Sequence, residues 1–340
     1  MSIVRVSING LGRIGRAFLK LAIINPDLEV VAVNDLATLE NLAYLLKYDS
    51  AYGHSGLEVV VGDGALIING KSIKVLSEKD PAKLPWQNLK VDVVVESTGI
   101  FEEYTKAKAH LDAGARKVVI TAPAKGESVA GVQSGTVLMG INEANLATCQ
   151  ISSNGSCTTN SASPLIQILD EAIGIDKAIL NTVHGYTASQ RLVDGPDVKD
   201  FRRGRAAAVN IVPSTTGAAI AVTEAITQLA GKFDGVAIRV PVVTGSIVDV
   251  TFITKRPTTV VEINNALQQA ASAPRWQKWF AVTNEPLVSS DIVGNPYASL
   301  VDLNLTRVVG GNLVKVLAWY DNELGYTHTL IDHVIKTGQI

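Results

Sequence analysis

Short apolar runs alternate with helical spacing along the first half of the chain. Valine- and isoleucine-rich runs with few polar interruptions occupy 3–9, 28–34, 91–97 and 117–121. Helical spacing follows at 13–24, 39–47 and 102–113, and shorter strand-like runs lie at 57–61, 65–68 and 73–76. Near-continuous apolar strands separated by helices are typical of a parallel sheet covered on both faces. The pattern therefore predicts an α/β domain with a doubly wound parallel sheet.

The pattern changes after about residue 155. Helices are predicted at 157–173, 217–230 and 322–338, strands at 177–186, 236–242, 247–254, 301–309 and 313–320, and a polar loop at 190–213. Longer strands joined by loops indicate an α+β domain with a mixed or antiparallel sheet. We assign residues 1–156 to a first domain, completed by a C-terminal helix within 319–340, and residues 157–318 to a second domain.

Composition narrows the classes of protein that the chain can belong to. The chain has 340 residues, of which 47% are hydrophobic and 18% charged, and its formal net charge is -2. That balance suits two globular cores and argues against binding to nucleic acid or to a membrane surface. Its two cysteines, Cys149 and Cys157, have no histidine cluster beside them, so we expect no metal site. Few cysteines and no signal peptide indicate a cytoplasmic protein.

A glycine-rich turn follows the first predicted strand. Gly10, Gly12 and Gly15 have the G-x-G-x-x-G spacing of a Rossmann-type dinucleotide site. The first glycine permits a tight turn, the second lets a pyrophosphate approach the backbone, and the third lets helix and sheet pack closely. The spacing also occurs in ordinary tight turns, but its position between a strand and a helix favours a dinucleotide site.

Asp35 indicates which dinucleotide binds. It lies 20 residues after Gly15, just past the second predicted strand. A carboxylate there accepts hydrogen bonds from the adenosine ribose of NAD and repels the extra phosphate of NADP. The residue after it, Leu36, adds no cation. The sequence therefore favours NAD and leaves acceptance of NADP open.

Cys157 and His184 form a candidate nucleophile and base. Cys157 opens the helix predicted at 157–173, where the helix dipole favours a thiolate, and His184 ends an apolar strand. A single cysteine is more often a small buried side chain, and a lone histidine is more often structural. A Cys-His hydrolase is a competing interpretation, although Asn160 is too close in sequence to Cys157 to orient the histidine. The sequence spacing alone does not distinguish a dehydrogenase nucleophile and base from structural residues or from a hydrolase pair.

Several longer motifs resemble the glyceraldehyde-3-phosphate dehydrogenase family over the whole chain. They are NGLGRIGR at 9–16, SCTTN at 156–160, HGYT at 184–187, DGPDVKDFRRGRAA at 194–207, PSTTGAA at 213–219 and WYDNELGY at 319–326. SCTTN combined with WYDNE is highly specific. The resemblance implies a phosphorylating, NAD-dependent aldehyde dehydrogenase that converts glyceraldehyde 3-phosphate to 1,3-bisphosphoglycerate in glycolysis and gluconeogenesis. Cys157 would form a thiohemiacetal and then a thioester, and His184 would move the protons.

The resemblance also implies two anion sites and further cofactor contacts. The substrate phosphate would bind Thr187 and Arg239, and inorganic phosphate would bind Ser156, Thr158, Arg203, Thr216 and Gly217. NAD would contact Arg13, Ile14, Lys79, Thr121, Asn322 and Tyr326. The family is tetrameric, with the loop 190–213 at subunit contacts, so a homotetramer is expected.

Three alternative functions differ from this one in the motifs that their sequences are expected to contain. Erythrose-4-phosphate dehydrogenase shares the fold but lacks the phosphate-site pattern present here at 184–187 and 215–217. Semialdehyde and acyl-phosphate reductases share the two-domain plan, but WYDNE is not expected in them. A non-catalytic NAD-binding protein need not keep Cys157 and His184.

Overall fold

The structure is a computed structural model that describes residues 2–198 and 200–340. The chain divides into two compact units. The first contains the residues up to Gly155 together with Thr327–Ile340, and the second contains Ser156–Tyr326. Residues 319–326, which the sequence analysis assigns to the first domain, thus lie in the second unit.

The first unit contains eleven strands and three complete helices among its described residues. They are β1 (Val4–Asn9), α1 (Arg13–Ala22), β2 (Leu28–Asn34), α2 (Leu39–Lys47), β3 (Tyr48–Asp49), β4 (Gly53–His54), β5 (Val59–Gly62), β6 (Ala65–Ile68), β7 (Lys71–Leu76), β8 (Val93–Glu96), α3 (Tyr104–Asp112), β9 (Lys117–Ile120), β10 (Ser134–Thr136) and β11 (Ile151–Ser153). Nine of the strands form one sheet in the order β10-β11-β9-β8-β1-β2-β7-β6-β5.

Strand β1 lies at the centre of this sheet and pairs in parallel with both β2 and β8. The chain leaves β1 towards one side through β2 and returns to its other side through β8, so the strand order reverses between β1 and β8. In open α/β sheets, ligands bind at the carboxyl ends of the strands at such a switch point. The glycine-rich turn after β1 and Ser97 after β8 lie at that edge. This confirms the predicted Rossmann-type sheet.

One edge of the sheet differs from the all-parallel prediction. Strand β6 pairs antiparallel with both β5 and β7. The turn between β6 and β7 is Asn69-Gly70, and both residues have positive φ, 48° and 78°. An Asn-Gly pair with positive φ makes a two-residue hairpin, and so tight a connection allows only antiparallel pairing.

Helix α3 ends in a Schellman motif that fixes the start of β9. Gly114 has φ +97°, its N–H donates to the Leu111 carbonyl, and the Ala115 N–H donates to the His110 carbonyl. This double closure requires a left-handed residue, which glycine adopts without strain. A Cβ at Gly114 would also lie 2.4 Å from the Cβ of Gln87.

The second unit is an α+β unit with a mixed sheet. Its elements are α4 (Cys157–Ala172), β12 (Ile175–Gly185), β13 (Val212–Thr215), α5 (Ala218–Ala225), β14 (Phe233–Val240), β15 (Ser246–Thr254), α6 (Val260–Ala271), β16 (Phe280–Thr283), β17 (Ser299–Asp302), β18 (Arg307–Val309), β19 (Leu313–Tyr320) and the start of α7 (Leu324–Gln339). The strand order is β13-β14-β12-β15-β19-β17-β16, with β18 on β19. Helix α4 packs on this sheet and contacts β12, β15, β17 and β19.

Two predicted elements of this unit have the wrong extent. The strand predicted at 301–309 is broken, because the Asp302 side chain accepts a hydrogen bond from Asn304 N–H and starts a helical turn at Leu303–Leu305. Asp side chains bonded to nearby backbone compete with strand pairing in this way. The helix predicted at 217–230 ends at Ala225, where Ile226 leaves helical geometry in a segment rich in β-branched residues.

Helix α6 was not predicted, although the sequence carries a signal for it. Thr259 caps the helix by accepting a hydrogen bond from Glu262 N–H, and Ile263 and Leu267 are buried on one face. Thr259 and Glu262 have the spacing of a capping box. Among the described residues, no helix is both long enough and apolar enough to cross a bilayer.

Replacing Gly114 by alanine is expected to destabilise the first unit by about 2–4 kcal/mol, because it adds left-handed strain and a steric clash with Gln87. The matched control is Gly70→Ala, which has φ +78° and no described atom within 4 Å of the added Cβ. It should cost about 1 kcal/mol from backbone strain alone. Thermal unfolding followed by circular dichroism compares the two, and equal midpoints would contradict this account of Gly114.

Candidate active site

The three motif glycines have distinct surroundings in the first unit. Gly10 has φ +93°, and a Cβ there would lie 2.8 Å from Thr98 N. A Cβ at Gly15 would lie 2.0 Å from the Gly10 carbonyl oxygen. At Gly12, which precedes α1, no described atom lies within 4 Å of that position. The outer glycines therefore allow close packing, and the middle one leaves open space at a helix N-terminus, which fits a phosphate.

A cavity of about 380 Å³ lies beside this turn. It is lined by residues at or after the ends of β1, β2, β7 and β8, which are Asn9, Gly10, Gly12, Asn34, Asp35, Leu36, Glu78, Lys79, Pro81, Ser97, Thr98, Ile100 and Phe101. Asp35 accepts hydrogen bonds from Leu11 N–H at 2.7 Å and Ala37 N–H at 2.9 Å. Its carboxylate is thereby fixed at the pocket wall and also braces the glycine-rich turn. A mainly apolar pocket with a fixed carboxylate at its wall fits the adenosine half of NAD.

The other cofactor residues predicted in this unit occupy separate places. Arg13 and Ile14 open α1, and the Arg13 guanidinium pairs with Asp49 and lies over the Tyr52 ring. In the structure that side chain therefore contacts the protein, and the helix start offers backbone N–H groups. Thr121 follows β9 at the same sheet edge, where its N–H donates to the Glu96 carbonyl.

In the second unit, Cys157 and His184 are brought into contact. Cys157 is the first residue of α4, and Ser156 caps the helix by accepting a hydrogen bond from Thr159 N–H at 3.0 Å. His184 lies near the end of β12. The Cys157 Sγ is 3.3 Å from His184 Nε2. The distance suits proton transfer between a thiol and an imidazole.

Arg239 lies beside this pair because β12 and β14 run parallel with His184 opposite Arg239. Its Nη1 lies next to His184 Nδ1 and donates to the Gly185 carbonyl at 3.2 Å. The Gly185 oxygen is also 2.6 Å from Nδ1. Nδ1 therefore faces one group that can only accept, the Gly185 carbonyl, and one that can only donate, the Arg239 guanidinium. The mechanism proposed below uses the tautomer with the proton on Nδ1, in which Nε2 accepts from Cys157.

The electrostatics of the pair differ from the sequence prediction of a thiolate. Burial raises the pKa of the Cys157 thiol, and the Arg239 charge and the Thr158 N–H oppose this rise only partly. Burial, with the Arg239 charge, lowers the pKa of His184 to about 3. Both shifts favour the neutral forms over an ion pair, because desolvation of the charges opposes the stabilisation available at the helix start.

Tyr320 connects the two elements that carry this pair. Its hydroxyl is 2.9 Å from the Thr158 hydroxyl on α4 and 2.7 Å from the Thr182 hydroxyl on β12. Its ring meets the His184 ring edge-on, with centroids 5.9 Å apart. Thr158, expected to bind inorganic phosphate, is buried and uses its hydroxyl in this bridge.

The remaining residues of the predicted anion sites lie in the same unit. Arg203 donates to the Ser214 hydroxyl at 3.0 Å. Burial lowers the pKa of Arg239, and the nearby charge of Arg203 lowers it further. Two neighbouring guanidinium groups favour an anion between them. Thr216 and Gly217 precede α5, and the Thr187 hydroxyl is 2.9 Å from the Ser189 hydroxyl.

Asn322 and Tyr326 also belong to the second unit. The Asn322 side-chain oxygen accepts hydrogen bonds from Gly245 N–H at 3.1 Å, from the Ser246 hydroxyl at 2.9 Å and from the Thr244 hydroxyl at 3.3 Å. These donors fix the amide so that its NH₂ points away from them. Tyr326 is buried.

Sequence reasoning missed several residues of these sites. Ser97, Thr98 and Glu78 line the cavity, and Ser246 and Tyr320 position the second site. The rule that ligands bind at carboxyl ends of parallel strands would have identified Ser97 and Thr98, which directly follow β8. Residues 2–198 and 200–340 contain no group of three or more metal-ligating side chains that could hold a metal ion.

Comparison with known proteins agrees with this geometry. The model of the glyceraldehyde 3-phosphate dehydrogenase NAD binding domain matches residues 4–104, and the model of the C-terminal domain matches residues 156–322. Over 332 residues, the chain is 49% identical to glyceraldehyde-3-phosphate dehydrogenase 1 of Streptomyces arenae, with 97% of both chains covered. It is 47% identical over 332 residues to the enzyme of Clostridium acetobutylicum, with 96% of both chains covered. The chain therefore belongs to the glyceraldehyde-3-phosphate dehydrogenase family.

Proposed function

We propose that the chain catalyses the NAD-dependent oxidation and phosphorylation of D-glyceraldehyde 3-phosphate to 1,3-bisphosphoglycerate through Cys157. Family membership supports the reaction class. The observation that carries the assignment to these residues is the 3.3 Å contact of Cys157 Sγ with His184 Nε2 beside Arg239. A nucleophile, a base and an anion site within one unit match the needs of acyl transfer to phosphate.

In this proposal the first unit binds the cofactor through the residues predicted from sequence: Gly10, Gly12, Arg13, Ile14, Gly15, Asp35, Lys79 and Thr121. Asn322 and Tyr326 of the second unit act on the nicotinamide end, Asn322 through its fixed amide. When bound, NAD supplies the acceptor for the hydride removed from the substrate carbon.

The chain's own groups carry the rest of the reaction. Cys157 Sγ adds to the aldehyde carbon while its proton passes to His184 Nε2, and His184 returns that proton to the developing alkoxide, which gives a thiohemiacetal. His184 then takes the hydroxyl proton of the thiohemiacetal as its carbon is oxidised to a thioester. A phosphate oxygen attacks the thioester carbon, the carbon–sulfur bond breaks, and the Cys157 thiolate regains a proton from His184. The Cys157 N–H at the helix start stabilises the developing oxyanion.

The cationic groups bind the two phosphates in this scheme. Arg239 and Thr187 hold the substrate phosphate, and Ser156, Thr158, Arg203, Thr216 and Gly217 hold the attacking phosphate. The electrostatic interaction of Arg203 with Arg239 supports an anion site there. Because Thr158 uses its hydroxyl in the Tyr320 bridge, its backbone N–H is the better donor to phosphate.

A homotetramer in the cytoplasm completes the proposal. The loop 190–213 carries large apolar side chains that are mostly solvent-exposed, including Leu192, Val193, Val198 and Phe201. Exposed apolar clusters of this kind mark surfaces that another protein covers. A reducing compartment keeps Cys157 as the free thiol that the reaction needs.

Cys157→Ser is expected to abolish NADH formation, and His184→Asn should slow it by roughly 10²–10⁴, the range of acid–base residues. The matched control is Cys149→Ser, because Cys149 is the second cysteine, is buried in the first unit and should leave turnover unchanged. Absorbance at the NADH band, with glyceraldehyde 3-phosphate, NAD and phosphate, measures all three.

Near-normal turnover of Cys157→Ser would refute the mechanism. The same assay without phosphate tests the reaction type, since phosphorolysis requires inorganic phosphate as nucleophile. Phosphate-independent NADH formation, with faster oxidation of erythrose 4-phosphate, would favour erythrose-4-phosphate dehydrogenase instead.

Asp35→Gly should shift cofactor choice from NAD towards NADP. The variant loses the ribose acceptor and the repulsion of the 2′-phosphate, while Lys79 remains at the same pocket as a cation. It also loses the brace on Leu11, so we expect the KM for NAD to rise about tenfold, as for one lost charge-assisted hydrogen bond. Steady-state kinetics with both cofactors measure the ratio, and an unchanged preference would exclude Asp35 as selector.

The oligomer is tested by light scattering of the purified chain, which should give the mass of four copies. Val198→Asp with Phe201→Asp should lower that mass, because both side chains are mostly exposed, 96% and 86%, in the isolated chain. Buried carboxylates at a subunit contact are costly. A monomer in the wild type would contradict the tetramer.

A further inference from the structure

A buried polar cluster lies in the first unit behind the cofactor pocket. Glu96 ends β8 and is 3% exposed, and His110 lies in the last turn of α3 and is fully buried. Neither residue lines the pocket formed by the described residues, and the proposed mechanism uses neither. Burying a carboxylate and an imidazole is costly unless both are fully hydrogen-bonded.

Glu96 accepts hydrogen bonds at both of its oxygens. Oε2 accepts from Asn9 Nδ2 at 2.6 Å and from His110 Nε2 at 3.0 Å. Oε1 accepts from Thr98 N–H at 2.8 Å and from the Thr98 hydroxyl. Four donors therefore occupy the acceptor positions of the Glu96 carboxylate.

The proton position of His110 and the orientation of the Asn9 amide are set by neighbouring N–H groups that can only donate. Trp86 Nε1 donates to His110 Nδ1 at 3.0 Å. An indole N–H is never an acceptor, so His110 must carry its proton on Nε2, facing Glu96. On the other side, Glu78 N–H donates to the Asn34 side-chain oxygen, and the Asn34 amide nitrogen donates to the Asn9 oxygen at 2.7 Å. Asn9 must therefore present its NH₂ to Glu96.

The cluster reaches two walls of the cofactor pocket. One wall is reached through Asn9, Asn34 and the backbone of Glu78. The other is reached through Thr98, whose hydroxyl accepts from Ile100 N–H at 3.1 Å, and through Phe101, whose ring meets the His110 ring edge-on at 6.3 Å. Glu96 is the one side chain bonded directly to both Asn9 and Thr98 among the described residues.

We propose that Glu96 and His110 are positioning residues for the adenosine half of NAD: they fix the separation of the two pocket walls and thereby set cofactor affinity without touching the cofactor. This inference rests on the proposed assignment of the pocket to adenosine. It follows because pre-organised walls spare the bound complex the cost of ordering them.

Glu96→Gln tests the proposal without changing side-chain volume. The amide brings one NH₂, which must face either the fixed donors of Asn9 and His110 or the backbone N–H of Thr98. In either orientation, the hydrogen bonds between Glu96 and one of the two pocket walls are lost. We expect the Kd of NAD and the Kd of ADP-ribose to rise by the same factor, about tenfold or more. KM for NAD should rise likewise, with kcat at saturating NAD within about twofold.

Two further variants separate positioning from general stability. Trp86→Phe removes the obligate donor that fixes the His110 tautomer, and should weaken ADP-ribose binding about threefold. The control is His333→Gln, since His333 is equally buried in the same unit and contacts Ser152 at 2.7 Å and Asn154 at 2.9 Å. It should lower the thermal midpoint and leave the ADP-ribose Kd unchanged.

Titration calorimetry with ADP-ribose and NAD on the full chain decides the outcome. If Glu96→Gln and Trp86→Phe bind ADP-ribose as tightly as the wild type, or if His333→Gln weakens binding equally, the positioning role is wrong. If the wild type binds no ADP-ribose, or Asp35→Gly leaves its Kd unchanged, the assignment of the pocket fails first. A rise confined to Glu96→Gln and Trp86→Phe, shared by NAD and ADP-ribose, supports the proposal.

Discussion

The Tyr320 hydroxyl bridge is the constraint on which the geometry of the second unit depends. The hydroxyl has one proton and two lone pairs, so it can donate to one threonine and accept from the other. It joins Thr158, next to Cys157 in α4, to Thr182, two residues before His184 on the same face of β12. Burial raises the pKa of Tyr320, so the bridge keeps its proton. The separation of sulfur and imidazole thus follows from a contact that involves neither.

Arg239 places a positive charge beside Cys157 and His184, whose burial disfavours charge on either side chain. Burial favours a neutral thiol and a neutral imidazole, so the pair offers no anion to match the positive charge of Arg239. A phosphorylated substrate supplies that anion. Proton transfer from Cys157 to His184 is then needed only as the carbon–sulfur bond forms, when the negative charge passes to the substrate oxygen. A permanently ionised thiolate is not required for the proposed reaction.

The features that could be predicted from the sequence are those that depend on residues close together in the chain. Gly10, Gly12 and Gly15 sit where the spacing placed them, because a strand, a tight turn and a helix start are encoded by neighbouring residues. The broken strand at Asp302 and the antiparallel edge at Asn69-Gly70 were not predicted, although the sequence contains the information, since each depends on a short-range hydrogen bond or turn. The Tyr320 bridge and the Glu96 cluster were not, because their partners are far apart in sequence and only the fold brings them together.

Polar side chains of the two units are oriented in the same physical way. Asn322 is oriented by the backbone N–H of Gly245 and by the Ser246 hydroxyl, and Glu96 by the N–H of Thr98 and the indole-fixed His110. In both cases a group that can only donate sets the direction of an otherwise ambiguous amide or imidazole. Such groups lose no orientational freedom when a ligand arrives, so more of the contact energy appears as affinity. In the proposed roles, residues behind the binding surface thus influence affinity through the residues that line it.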